Sequence, residues 1–327
     1  MSPYERMGSA YNIQTKRGCK HRCIYCTYGV IEGTKVRLRP PVEVVDELEQ
    51  ALFKYQPETF EFVDSVFNDP LDHCSEILEE IARRPWKAPL TAMGVSPKGL
   101  DGRFLKLMER AGFTFFWITP ESASETMISN YRKGFAIDDV IRAAEAIKGS
   151  PLRVRWSFLI GGPGETNHTL QETLDFTAKY LKPEAGSYTN TADYFLGVRI
   201  YPNTDLWAIA LKEGFITEKS DPAEPLWYLS EGLDLDLAVE QIGRLAERCP
   251  ALSTGCHERW LVLSPIAAFL AKLLRMPKPY WGMSIGANEV MQKVGLNRIY
   301  WRKAVAAGIK RQLVRQGYNG SLVGRGR

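Results

Sequence analysis

The chain has 327 residues, of which 45% are hydrophobic and 24% charged, with a formal net charge of +4. That balance is ordinary for a globular protein, and the length fits one large α/β domain or two smaller ones. The longest apolar stretch, 260–274, is broken by Ser264, Pro265 and Lys272 and is too short and interrupted for a membrane span, and Met1-Ser2-Pro3-Tyr4 shows no cleavable signal pattern.

In chain order, strands and helices alternate. A strand over 11–16 leads into a cysteine-rich loop, and 41–54 has helical spacing with Val44, Val45, Leu48 and Leu52 on one side. Strands are predicted over 60–66, 90–95, 113–118, 154–160 and 194–200. Helices are predicted over 71–83, 101–111, 140–147, 167–180 and 204–212. Six consecutive βα units with apolar strands argue for a parallel sheet, and right-handed crossovers curl such an array toward a partial (β/α)6 TIM-type barrel. Catalytic residues then belong on loops at the C-terminal strand ends. After residue 214 the pattern changes, with Pro222, Pro225 and an acidic stretch over 231–240, then helices over 237–248 and 259–275. The expected organisation is a lead-in over 1–10, a barrel over 11–214, and a mostly helical extension over 215–327 that shapes a substrate cavity.

The most informative run is Cys19-Lys20-His21-Arg22-Cys23-Ile24-Tyr25-Cys26, with spacing C-x3-C-x2-C. A cubane cluster has four irons, each taking an outer ligand, so three thiolates leave one iron open for a small molecule. Structural zinc would need a fourth ligand such as His21 or His257, and only one C-x2-C pair exists. Six cysteines are too sparse for a disulfide framework and fit a reducing, cytoplasmic setting.

This run, with Tyr25 before its last cysteine, resembles the cluster loop of the radical S-adenosylmethionine (SAM) superfamily. The phrases 12–18 and 27–33 resemble the branch whose members often carry a cobalamin-binding domain. The resemblance implies a [4Fe-4S] cluster on Cys19, Cys23 and Cys26, SAM chelated to the open iron, and one-electron cleavage giving a carbon radical that modifies a substrate. It also implies an electron donor such as flavodoxin or ferredoxin, and a small-molecule or peptide substrate. Candidate SAM contacts are Tyr25, Asp64, Asn68, Glu121, Lys133, Ser157 and Arg199. Asp64 or Asn68 could hold the amino group, although 68–70 also reads as a turn and helix cap. Glu121 suits the ribose hydroxyls, and Arg132 or Lys133 the SAM carboxylate. Ser157 lies on the fifth strand. Arg199, a charge in an apolar strand, calls for a partner such as the SAM carboxylate, substrate or a barrel acid. The glycine-rich run 161–166 lacks the Lys-Ser/Thr ending of a phosphate loop.

No Asp-x-His-x-x-Gly run occurs, and the cluster loop begins at residue 19, so cobalamin is not expected in this chain alone. A naturally short enzyme is expected, the alternative being the catalytic part of a cobalamin-dependent methyltransferase. Cys74, Cys249 and Cys256 read as buried thiols, or as soft donors around an acceptor such as trivalent arsenic, with 3-amino-3-carboxypropyl transfer. A non-catalytic metal-binding accessory protein is the rival class. From residue 258 onward thirteen Lys and Arg face two acids, a surplus of eleven that leaves the rest of the chain at −7. That basic segment either packs on the acidic body or meets an anionic partner such as a membrane surface; no aromatic-basic pattern points to nucleic acid.

Overall fold

The computed structural model describes residues 10–182, 190–224, 226–246, 249, 252–254 and 273. Its main sheet has the strand order β1-β4-β5-β6-β7-β8-β11, where β1 is Tyr11–Ile13, β4 Phe60–Phe62, β5 Leu90–Val95, β6 Phe113–Glu121, β7 Arg153–Ile160, β8 Asn190–Leu196 and β11 Leu252–Thr254. The β1–β4, β4–β5, β5–β6 and β8–β11 pairs are parallel. With helices between successive strands, this is the expected α/β, partial TIM-type architecture. The chain divides into two compact units: residues up to 120 with 132–157, and 121–131 with 158 onward.

In the first unit the helices are α1 (Tyr28–Ile31), α2 (Pro41–Tyr55), α3 (Leu71–Arg83), α4 (Gly102–Ala111) and α6 (Ile137–Lys148). Helix α2 buries Val44, Val45, Leu48 and Ala51, one face at three- and four-residue spacing. Helix α3 buries His73, Cys74, Ile77, Leu78 and Ile81 in the same way. Asp101 starts α4 by accepting from the Arg103 and Phe104 amides, and Gly112, at φ 105°, ends it. A Cβ on Gly112 would stand 2.8 Å from the Ala88 carbonyl oxygen, so the tight return into β6 needs glycine. Phe62, Phe67 and Phe113 stack in the core with centroids 4.8–5.8 Å apart. Burying each such ring contributes about 2–3 kcal/mol.

The second unit holds α5 (Glu125–Asn130), α7 (Asn167–Tyr180), α8 (Asp205–Lys212) and α9 (Leu235–Ala246). Thr166 caps α7 through the Thr169 amide. Gln241 of α9 reaches the Asn167 carbonyl and Gln171 of α7. Phe158, Phe176 and Tyr194 form its aromatic core.

Several elements depart from the sequence reading. The first strand stops at Ile13, and Lys16–Arg17 form a separate strand β2, antiparallel to β3 (Arg37–Leu38). The second strand ends at Phe62 instead of residue 66, because Asp64 turns to take the backbone amides of Thr15 and Lys16. The sixth strand spans 190–196 instead of 194–200. Gly197, at φ 81°, breaks it, and β9 (Val198–Arg199) then pairs antiparallel with β10 (Trp227–Tyr228). The extension beyond residue 214, expected to be mostly helical, adds β11 to the sheet as a seventh strand. The helix expected over 237–248 is α9, and that over 259–275 lies outside the described residues except for Leu273.

Candidate functional site

The cysteine loop leaves β2 through Gly18, whose φ of 90° favours glycine. A Cβ there would stand 2.2 Å from the Lys35 carbonyl oxygen. The Gly18 amide donates to Glu32 Oε2 at 2.9 Å, while Gln14 Nε2 donates to Oε1 at 3.2 Å. The Cys19 amide bonds the Gly33 carbonyl, and the Cys26 amide bonds the Cys23 carbonyl. These bonds fold residues 18–33 into a hairpin-like loop, with Cys19 buried and Cys23 and Cys26 half-buried. Among the described residues no three His, Cys, Asp or Glu side chains close around a single metal ion. A cubane takes each thiolate on a different iron, so its donors stand farther apart than those of one ion; three thiols on one anchored loop suit that donor set.

The residues between the cysteines are gripped from outside the loop. Asp69 accepts from Lys20 Nζ at 2.9 Å and pairs with His21 Nε2 at 2.7 Å. The His21 hydrogen bond, aided by Lys20, holds the Asp69 carboxyl at about 2 despite the opposing effect of burial. Lys133 Nζ donates to the Tyr25 hydroxyl at 2.9 Å and lies over the Tyr25 and Phe135 rings. Gly134 follows at φ 74°, where a Cβ would meet His21 Nδ1 at 3.3 Å. The sequence points to Tyr25 and Lys133 only as separate cofactor contacts, and gives no sign of the link between His21 and Asp69, which lie 48 positions apart.

Two strand-end candidates are occupied by structural work. Asp64 is buried and accepts from Thr15 N at 2.9 Å, Thr15 Oγ1 at 3.0 Å and Lys16 N at 3.2 Å. Its second oxygen lies 3.8 Å from Lys16 Nζ, itself buried and donating to the Phe67 carbonyl. Burial outweighs these partners and raises the Asp64 carboxyl. Asn68 is also buried: its amide donates to the Ser96 and Lys98 carbonyls and accepts from Ser96 N. Within the protein both act as braces, Asp64 between β4 and the loop entrance, Asn68 between the segments after β4 and β5. Ser157 lies with Arg155 on the half-buried face of β7, opposite Val154, Trp156 and Phe158, and Arg155 stacks over Trp117 at 5.8 Å.

In the second unit, Glu121 is buried at the end of β6 with φ 66°. Arg199 has partners within the protein. It is half-buried, donates to the Glu224 carbonyl at 3.0 Å and lies over the Tyr201 and Trp227 rings. Of these neighbours Trp227 stands directly opposite it across the antiparallel β9–β10 pair. Glu165, in the glycine-rich run, carries no sequence signal of its own. Its Oε2 accepts from the Gly161 amide at 2.6 Å, while Oε1 is buried without a partner among the described residues. Burial pushes this carboxyl up to about 8. Gly162 packs on Tyr131, where a Cβ would come within 2.3 Å of the ring.

Cys74 lies on the core face of α3, and burial raises its thiol far above the usual range, which disfavours a thiolate donor. Cys249 is buried in the second unit, and Cys256 lies outside the described residues. No described helix is long and apolar enough to cross a membrane.

Residues 13–177 match the family model of the Radical SAM superfamily. The chain is 25% identical over 217 residues to an uncharacterized methyltransferase of Pyrococcus horikoshii, covering 66% of this chain and 45% of that protein. It is 24% identical over 232 residues to the cytidylyl-2-hydroxyethylphosphonate methyltransferase of Streptomyces wedmorensis, covering 70% and 42%. The chain thus spans less than half the length of these curated relatives. Among solved structures, the radical S-adenosylmethionine methyltransferase TsrM of Kitasatospora setae, with tryptophan and a SAM analogue bound, has the same fold at a TM-score of 0.68 and 22% identity, over 89% of this chain and 62% of that one.

Proposed function

Because the chain belongs to the Radical SAM superfamily, whose model matches just over half of it, we propose that it cleaves SAM reductively and transfers a group to a small substrate. The family implies a [4Fe-4S] cluster and SAM, and the reading assigns the cluster to Cys19, Cys23 and Cys26. When bound, the cluster supplies one electron to the sulfonium of SAM at its open iron. The single observation that carries the assignment is the loop itself: three thiols on a segment held by the Gly18–Glu32 and Cys19–Gly33 bonds.

The chain's own residues supply the rest. Asp69 fixes Lys20 and His21 between the first two thiols, and Lys133 fixes Tyr25 beside the third. Tyr25 thereby offers a ring held in place for the adenosine. Lys133, already bonded to Tyr25, offers positive charge toward the SAM carboxylate. Ser157 lines the same strand face as Arg155.

Methyl transfer is the reaction class favoured by the relatives, two of which are named methyltransferases. Two versions remain in the proposal: action by this chain without cobalamin, and action as the catalytic part of a cobalamin-dependent enzyme. Anaerobic iron and sulfide loading, followed by SAM cleavage with dithionite and mass spectrometry of the products, tests the reading. The Cys19→Ala/Cys23→Ala/Cys26→Ala protein is expected to lose both iron and cleavage. Full iron retention by that variant would sink the assignment, and a methylated product seen only with added cobalamin selects the second version.

A further inference from the structure

We propose that Glu61, on the side of the sheet away from the helices, anchors the substrate through an ammonium group, so that the molecule receiving the transferred group is a small organic amine. The inference rests on the group-transfer reading above and deepens it by naming the substrate class. The two sides of the first strands differ. Tyr11 pairs with Phe60 across β1–β4 and stacks on Tyr55 of α2, which marks the helix side; there Phe60 and Phe62 are fully buried. On the opposite side Asn12 is exposed, Glu61 and Thr91 are half-buried, and Met93 is 43% exposed. In a closed barrel the inward side chains fill a packed apolar core. Here that side is polar and open to solvent, as a binding face requires.

Asn12 and Thr91 are the direct neighbours of Glu61 across the β1–β4 and β4–β5 ladders. Among the described residues the Glu61 carboxylate makes no hydrogen bond or ion pair. Burial raises its carboxyl, with no neighbouring charge to oppose the effect. A positive ligand group removes that cost. An ammonium carries three donors and no acceptor. The row answers with acceptors: the Glu61 carboxylate, the Asn12 amide oxygen, and the Thr91 hydroxyl, whose own proton goes to the Phe60 carbonyl at 3.2 Å.

The rest of the face orients the ligand. Met93 and the half-buried Trp117 lie between the Ala92–Phe116 and Val95–Ile118 pairs of the β5–β6 ladder, nearer the C-terminal strand ends, and give an apolar body a surface to lie on. Arg155, over the Trp117 ring at 5.8 Å, sets positive charge at that end and turns the cationic end of a ligand toward Glu61. The face runs up to the cysteine loop: Gly94, next to Met93, packs on the Ser65 carbonyl, and Ser65 donates to the Gly18 carbonyl at 3.4 Å. Glu61 lies three residues before Asp64, about 10 Å along an extended strand. A ligand of that length, held at Glu61, reaches from its anchor toward the thiols.

The test is calorimetric titration of the cluster-loaded chain with three probes of one shape, hexylammonium, hexanol and hexanoate. Wild type is expected to bind hexylammonium at least about tenfold more tightly than either of the others, a comparison that needs no variant. Glu61→Gln should abolish that preference. Excess SAM should leave hexylammonium bound. Equal binding of the three probes, or a preference for hexanoate held at Arg155, would overturn the amine site. So would a preference that survives in Glu61→Gln, or displacement of the probe by SAM, which would give Glu61 to the SAM ammonium instead. Wild-type protein that selects hexylammonium yet fails to cleave SAM with dithionite would overturn the group-transfer reading, and with it the role of this site in holding a substrate.

Discussion

Replacing Asp64 by Asn probes how the loop entrance is held. The substitution keeps the shape and one carbonyl oxygen to accept from Thr15 N and Lys16 N, but removes the charge 3.8 Å from Lys16 Nζ. At that separation, with an effective dielectric constant near 20, the lost attraction is about 4 kcal/mol. That agrees with the roughly 3–5 kcal/mol seen when one partner of a buried pair is removed. Lys16, whose side chain is 2% exposed, is left with only neutral acceptors, Thr15 Oγ1 and the Phe67 carbonyl. Urea unfolding followed by tryptophan fluorescence should show D64N destabilised by about 2 kcal/mol, less than the lost attraction because the burial that raises the Asp64 carboxyl is relieved. Removing the stranded charge as well, in the K16M/D64N double variant, should return most of the loss, because replacing both members of a buried pair is often near neutral. A D64N protein within about 1 kcal/mol of the wild type, or a double variant no better than the single one, would refute the reasoning.

Two further outcomes follow from the same geometry. Gly18→Ala places a Cβ 2.2 Å from the Lys35 carbonyl at a φ of 90°, so the hairpin must open; iron loading should fall severalfold while thermal unfolding of the rest changes little, and normal loading would contradict the close approach. Glu165 titrates near 8 when folded against about 4.3 when unfolded, so the native state holds the extra proton between those values and stability declines as pH rises through that window. E165Q should flatten that slope; an unchanged pH profile of unfolding would show that the buried carboxyl is not its source.

The alternation of strands and helices was legible because each helix carries one apolar face and each strand is bounded by turn residues. The core face of α2 was legible at the residue level in Val44, Val45 and Leu48, while Leu52, read on the same side, is half-buried. The cysteine loop was legible from spacing alone. What periodicity does not carry is pairing across distance. Asp64 looks, in the sequence, like a strand-end carboxylate facing a ligand, and only the fold brings Lys16 and Thr15 to it from 48 and 49 positions away. The His21–Asp69 pair is hidden for the same reason. Arg199 looks costly because its strand reads apolar, and the β9–β10 pair that relieves it lies across a proline-containing stretch. Strand β11, three residues long, is too short for any alternation to register.

That short strand has a consequence for how the chain reaches its fold. It pairs Leu252, Ser253 and Thr254 with Ala192, Asp193 and Tyr194, partners sixty residues apart. During synthesis β8 emerges first and then waits, at about 5–20 residues per second, several seconds for its neighbour. Over that interval one edge of β8 presents unpaired amides and carbonyls, the template on which strands of other chains add. A protein cut after residue 214 would keep that edge permanently open. Strand β11 thus acts as an edge guard for β8, and the segment that carries it belongs to the solubility of the sheet as much as to its far end.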